Sequence, residues 1–360
     1  METQNVVTGV VEHHLDEPER PAPRQPSKLT FSAITAFQAC PRSYELAYVE
    51  RLTPADYAPA LAVGSAFHAG IAALHLGRPL DEALAIAADV VRSAWERATA
   101  AAPIAPDATV RSSPARDAAK VSAMIVGWHE RYFAVWNGTV AARDRAVEML
   151  EAEIVLEAPL RSPTTGRPSR LFLLAGRLDG LVRLREGGDD GFGDAAADGI
   201  WVYEAKTTST EINEAAESFS LSVQPVLYQV LAEAYFGPHM GSVLGSVIDL
   251  VKKPVIRTRN GESPEEYRER AVAAYREEPD RFFRRVVLRA DEGRRREALT
   301  VAWGVARSIR ESEKHGFLSK RGPACRTSYG PCRFERLCWR DDRSGYVEKK
   351  SAHEELAATG

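Results

Sequence analysis

The sequence predicts an α/β (α+β) protein in which helices flank a mixed central β-sheet, and three observations predict it. Apolar runs of strand length occur at 146–160, twice within 171–206, and at 243–253. Segments with helical spacing surround these runs, and an apolar share of 44% over 360 residues is enough for a large core. The predicted order is helices, three strands, helix, strand, helices, with no internal repeat.

Residues 1–27 are polar and contain prolines, so they read as a disordered tail ahead of a single domain over 28–345. The stretch 28–52 predicts a helix with Ser32 near its start. Ile34, Ala36 and Phe37 form its apolar side, the Cys40–Pro41 pair breaks it, and Tyr44, Ala47 and Tyr48 resume the spacing. A helix rich in small residues follows at 60–77, with Gly64 and His68 four apart on one face. Residues 81–137 read as an Ala-rich helical insertion interrupted by the Pro-containing 101–114. Alternation at Glu153, Val155 and Glu157 marks the strand at 146–160.

Within 171–206 two apolar runs flank an Asp/Gly-rich loop and present Asp179 and Glu204, with Lys206 two residues on. Side chains at i and i+2 of a strand share a face, so Glu204 and Lys206 project together. Pairing of the runs as a hairpin would bring Asp179 to them and give two hard oxygen ligands beside a cation, a set suited to Mg²⁺ or Mn²⁺ acting on a phosphate. The acids from Glu186 to Gly199 read as solvated groups on a flexible hairpin tip. A helix at 212–236 carries Gln224 and Tyr228 one turn apart. The strand at 243–253 follows, then charged helical sequence from Glu262 to His315, and 346–360 reads as a C-terminal tail.

No stretch approaches the roughly 20 apolar residues that cross a bilayer, and the N-terminus has no basic-then-apolar leader. The expectation is a cytoplasmic protein without membrane association. The net charge of −3 conceals a division: residues 1–251 hold 21 basic and 32 acidic residues, whereas 252–350 hold 26 basic and 16 acidic. The basic part, including Arg281, Arg284, Arg285, Arg294, Arg295 and Arg296, suits a polyanion as well as it suits a solvated helix face. The four cysteines are Cys40, Cys325, Cys332 and Cys338. Three of them within 14 residues of polar, Arg-rich sequence argue for a metal centre rather than disulfides.

Taken singly, Glu-x-Lys, Gly-x-x-Asp, a lone His68 and Gln-x-x-x-Tyr are each common in ordinary strands and helices. Their order is more specific. GSAFH, AGRLDG, VYEAK and QPVLY in succession resemble the RecB-like exonuclease branch of the PD-(D/E)xK nuclease superfamily, similar to the CRISPR adaptation exonuclease and the AddB nuclease domain. The resemblance covers Leu29 to Cys338, and SAITAFQACPRSYELAYV resembles that branch's first helix. It implies a restriction-endonuclease-like core and a metal-dependent deoxyribonuclease working on ends or single strands.

By that resemblance Asp179, Glu204, His68 and the Ala205 backbone carbonyl would hold the metal. Lys206 would hold the attacking water, and Gln224 and Tyr228 would contact the site and the DNA backbone. Glu153 is a possible further ligand. Cys40 with Cys325, Cys332 and Cys338 would hold a 4Fe–4S cluster that staples the chain ends, with Zn²⁺ at four thiolates as the rival. The last three ligands are separated by six and five residues, where the branch often has two and five. Phe334 and Trp339 would stack on a base or pack around the staple. No Gly-x-x-x-x-Gly-Lys-Ser/Thr phosphate loop occurs, so any motor would come from a helicase, recombination or CRISPR partner. The competing functions are an inactive nucleic-acid-binding scaffold with this fold, and a zinc-stapled module that binds RNA or protein.

Overall fold

The computed structural model describes residues 26–101, 113–135, 142–144, 146–184, 199–289, 291–316, 320–327 and 330–357. The expected N-terminal tail, but for its last two residues, and all but the last residue of the acidic loop lie outside them. Strand β1 (Ser27–Leu29) opens the domain and leads directly into α1 (Phe31–Ala39). Thr30 caps α1 by accepting the Ala33 N–H at 3.1 Å, so the helix begins before Ser32. Pro41 starts α2 (Pro41–Tyr44), and a π-helical turn, Glu45–Val49, completes what reads in sequence as one helix over 28–52. After β2 (Leu52–Pro54) comes α3 (Pro59–His75), which buries Phe67, Ile71 and Leu74 on one face.

The Ala-rich stretch forms α4 (Leu80–Ala101) and α5 (Pro114–Tyr132), which give Val91, Met124 and Trp128 to the main core. Two short strands, β3 (Phe133–Val135) and β4 (Ala142–Asp144), pair with each other and precede β5 (Val147–Arg161). Then follow β6 (Pro168–Leu184) and β7 (Ile200–Thr208). The helix expected at 212–236 is two helices, α6 (Ile212–Leu221) and α7 (Gln224–Met240). Pro225 has no N–H to continue the ladder, and its ring would clash with the carbonyl four residues back.

Strand β8 (Val243–Lys252) lies where the sequence places it, followed by α8 (Pro264–Glu277) and α9 (Pro279–Phe282). The expected all-helical stretch 262–315 is interrupted by β9 (Phe283–Leu288) before α10 (Glu292–His315). The arginines of FRRVVL hide its strand character, and Arg285 points inward. A 3-10 turn (Gly322–Cys325), β10 (Arg326–Thr327), β11 (Gly330–Pro331), α11 (Glu335–Arg340) and β12 (Tyr346–Glu348) finish the chain. The segment read as a tail from 346 is therefore tied down: β12 pairs with β2, and Glu355 accepts the Thr30 hydroxyl at 2.7 Å.

The main sheet has the order β1-β6-β7-β8-β9, with β5 along the other edge of β6. Strand β6 divides one edge between two partners: Phe172–Leu174 pair with β1, and Gly180–Val182 pair with β7. Asp179 stands at the gap between them. Helices α3, α4, α5 and α8 cover one face of the sheet around Trp128, Trp201 and Tyr203. Helices α1, α7 and α10 cover the other around Ile34, Leu181, Val202 and Leu231. No helix among the described residues is long and apolar enough to cross a membrane.

Candidate active site at the fork between two strands

The pairing of β6 with β7 runs through Gly180↔Tyr203 and goes no further, whereas β7 continues beside β8 to Thr208↔Lys252. At the fork the Asp179 carboxylate accepts the backbone N–H of Ala205 at 2.7 Å, taking a donor at the point where the ladder ends. His68 reaches the same carboxylate from α3, with Nδ1 3.0 Å from Asp179 Oδ2.

Glu204 and Lys206 share a face, as their spacing requires, and the Lys206 ammonium donates to Glu204 Oε1. Gln224, the first residue of α7, donates to the same oxygen at 3.4 Å and to the Tyr228 hydroxyl at 3.1 Å. The fork thus gathers His68, Asp179, Glu204, Lys206, Gln224 and Tyr228 from α3, β6, β7 and α7. Glu153 on β5 has a left-handed backbone (φ 53°) and lies 3.5 Å from Arg177 Nε. Arg177 is two residues before Asp179 and contributes positive potential at Lys206 and Tyr228. Sequence reasoning passed over it, although i, i+2 spacing on β6 puts it on the Asp179 face.

Electrostatics separate the two acids. Burial, then the neighbouring Asp179 charge, pushes the Glu204 carboxyl up to about 7 despite Lys206. Burial also acts to raise Asp179, but His68, Lys206 and the Ala205 N–H outweigh it and hold that carboxyl below its usual range. For Lys206 burial favours the neutral amine, yet Glu204 and Asp179 prevail and raise its pKa.

Among the described residues no three His, Cys, Asp or Glu side chains stand as a closed cage for a metal ion. The fork nevertheless suits a divalent cation at its open side: Glu204 is 3% exposed, and its Oε2 is buried without a hydrogen-bond partner. A hard cation beside Asp179 would satisfy that oxygen and lower the charge repulsion between the acids.

Cys40, Cys325, Cys332 and Cys338 border one cavity, yet their thiols form no ligating group. Cys325 donates to the Arg321 carbonyl at 3.7 Å, and the Trp339 indole donates to Cys325 Sγ at 3.3 Å. Phe334 is fully buried with Leu46, Ala47 and Leu337, so it packs under the cavity rather than facing a base. The basic residues proposed for a polyanion are largely engaged. Arg285 is buried between Asp144 and Asp249; Arg284 donates to Asn213, Arg294 to the Ser220 carbonyl, and Arg295 to the Val243 carbonyl. Arg281 and Arg296 pair with Glu278 and Glu292.

Buried Glu204, partly buried Asp179 and Lys206 beside them meet at a forked sheet edge, a pair of acids and a lysine at the end of a strand ladder. Residues 28–338 match the family model of the PD-(D/E)XK nuclease superfamily, and the chain belongs to that superfamily. No curated protein matches the chain.

Proposed function

We propose that the chain is a Mg²⁺- or Mn²⁺-dependent deoxyribonuclease of the RecB-like branch, an exonuclease working on DNA ends or single strands. The observation that carries this reading is the unpartnered, buried Oε2 of Glu204 beside Asp179 and Lys206. In the proposal Asp179, Glu204, His68 and the Ala205 carbonyl hold the cation, with Glu153 as a further oxygen donor. Such a cation would lower the pKa of a water and neutralise phosphate oxygens.

The chain's own groups do the remainder. The Ala205 N–H and His68 fix the direction of the Asp179 carboxylate. Lys206, kept protonated by the acids, orients the attacking water and offsets charge that develops on the phosphate. Gln224 holds Glu204 and Tyr228 together, at the end of α7 that faces the strand.

We further propose that the four cysteines, which border one cavity between the α1 end of the domain and its C-terminal segment without yet standing as a ligand set, close around a 4Fe–4S cluster when it is bound. Anaerobically purified protein would absorb at about 400 nm, whereas colourless, zinc-loaded protein would favour the rival. DNA is the substrate, the cytoplasm the site of action, and a helicase, recombination or CRISPR component the partner.

The test of activity is Mn²⁺-dependent degradation of linear single- and double-stranded DNA by the wild type and Lys206→Ala. We expect loss of about 10²–10³-fold in rate on removing the lysine. Equal activity in both proteins would rule out the site, and no activity in either would favour an inactive scaffold.

A further inference from the structure

Beyond the fork, the open edge of β7 leads to a second feature. Gly64 on α3 lies over this edge, where a Cβ added to it would meet Thr207 Oγ1 at 3.8 Å. Leu61, Gly64 and His68 follow one face of α3, and Leu61 is 70% exposed. One residue past the end of β8, the Lys253 N–H bonds the Thr208 carbonyl at 2.8 Å, and its ammonium reaches back to the Ala60 carbonyl at 3.4 Å. Lys253 thus ties the end of β8 both to the last residue of β7 and to the first turn of α3.

Next to it lies a cavity of about 260 Å³ between α5, the segment 254–258 and Tyr267 of α8, lined on its polar side by Arg116, Lys120 and Arg257. The cavity also contains an acid. Asp117 is buried, accepts the Tyr57 hydroxyl at 2.8 Å, and stands 3.8 Å from Lys120 Nζ. One carboxylate among three lining cations leaves a net positive basin, and Lys253 immediately precedes its lining residue Pro254. Burial, then the nearby Lys120 charge, disfavours the ammonium form of Lys253, against the pull of Asp117.

We propose that this basin binds a phosphodiester of the same nucleic-acid strand whose scissile bond lies at the fork. Lys206 is level with Leu250 on β8, and Lys253 is three residues further, so at a strand rise of about 3.3 Å the basin begins about 10 Å away. The proposal rests on the nuclease reading. It assigns DNA contact to α5 and the β8–α8 connection rather than to the arginines of β9 and α10, which the fold already occupies.

The experiment measures binding without cleavage. Affinity of Lys206→Ala for a fluorescent single-stranded oligonucleotide in EDTA is followed by anisotropy across a salt series. Lys120→Ala with Arg257→Ala in that background should flatten the slope of log Kd against log salt by about 1.4, at about 0.7 per lost phosphate contact. Arg296→Ala, an exposed α10 control, should leave it unchanged. If the double variant melts early, single Lys120→Gln and Arg257→Gln should each give about half the change.

An unchanged slope, or the same change in the control, overturns the basin while leaving the nuclease reading intact. Failure of the nuclease reading registers separately, as wild-type protein that degrades no DNA. No DNA binding by Lys206→Ala at all would also overturn the basin.

Discussion

Asp179 and Ala205 are joined across the fork: the carboxylate of one accepts the backbone N–H of the other at 2.7 Å, just past the last residue pair of the β6–β7 ladder. This single bond keeps Asp179 within reach of Glu204 while the strands separate. It also gives the acid a fixed donor that helps hold it ionised. Replacement by Asn at 179 would keep the shape and remove the charge. We expect Asp179→Asn to fold normally and to bind Mn²⁺ at least about tenfold more weakly in calorimetric titration, the range seen when a group that supports a metal site is lost.

The AGRLDG motif owes its first glycine to packing. A Cβ on Gly176 would come within 2.7 Å of Tyr228 Cε1 and 3.1 Å of Leu231 Cδ1. Gly176→Ala should therefore push the Tyr228 ring away from Gln224 and cost about 1–3 kcal/mol through overpacking. The check is a joint fall in thermal midpoint and in nuclease rate; a stable, fully active variant would show that α7 has room to yield.

Gln224 acts through its neighbours, since its amide joins Glu204 Oε1 to the Tyr228 hydroxyl. Gln224→Ala should lower Mn²⁺ affinity about tenfold with little change in stability. Gln224→Glu should do more harm in metal-free protein, because a third carboxylate would face Glu204 and Asp179. Comparing the two variants with and without Mn²⁺ in thermal melts separates charge from shape.

The site was more legible in the sequence than the sheet that carries it. Glu204 and Lys206 had to share a face by the two-residue period, and the hairpin that the Asp/Gly loop between apolar runs only suggested is the antiparallel β6–β7 pair. His68, Gln224 and Tyr228 were legible only through the order of the motifs and the resemblance that order carries, since each is common taken singly. Strand β9 was not legible, because a strand is recognised by apolar alternation and FRRVVL puts a buried arginine at an inward position. β1 and β12, three residues each, are too short to carry a pattern and exist through their partners on β6 and β2. The break before Pro225 carried a sequence signal that the single-helix reading of 212–236 passed over, whereas the left-handed Glu153 depends on tertiary contacts.

Arg285 illustrates the distinction between surface and buried charge. Its guanidinium bonds Asp144 Oδ2 and Asp249 Oδ2, both at 2.7 Å, and stacks 4.2 Å from the Tyr132 ring centroid. Trp128 and Tyr203 donate to Asp249 as well. Arg285→Leu would leave two buried carboxylates without their cation and should cost about 3–5 kcal/mol. Adding Asp144→Asn and Asp249→Asn should restore part of that loss in chemical denaturation. If Arg285→Leu instead weakened DNA binding with stability unchanged, the structural assignment would be wrong.

His75 provides the pH dependence. Its ring lies against Trp128 and Tyr203, at centroid distances of 5.4 and 5.0 Å, and its Nε2 is buried without a partner. Burial holds its pKa below the ordinary 6.5, against the pull of Asp144 and Asp249. The unfolded chain therefore binds a proton that the folded chain refuses once pH drops through about 6.5, so stability falls with decreasing pH until the folded ring also titrates, and is fully present above that range. Replacement of this histidine by Phe fits a pocket made of aromatic rings and removes the titration. His75→Phe should then unfold at a denaturant midpoint that changes less between pH 7.5 and 5.5 than the wild type does. Equal slopes in the two proteins would mean that His75 is protonated, or exposed to water, in the folded state.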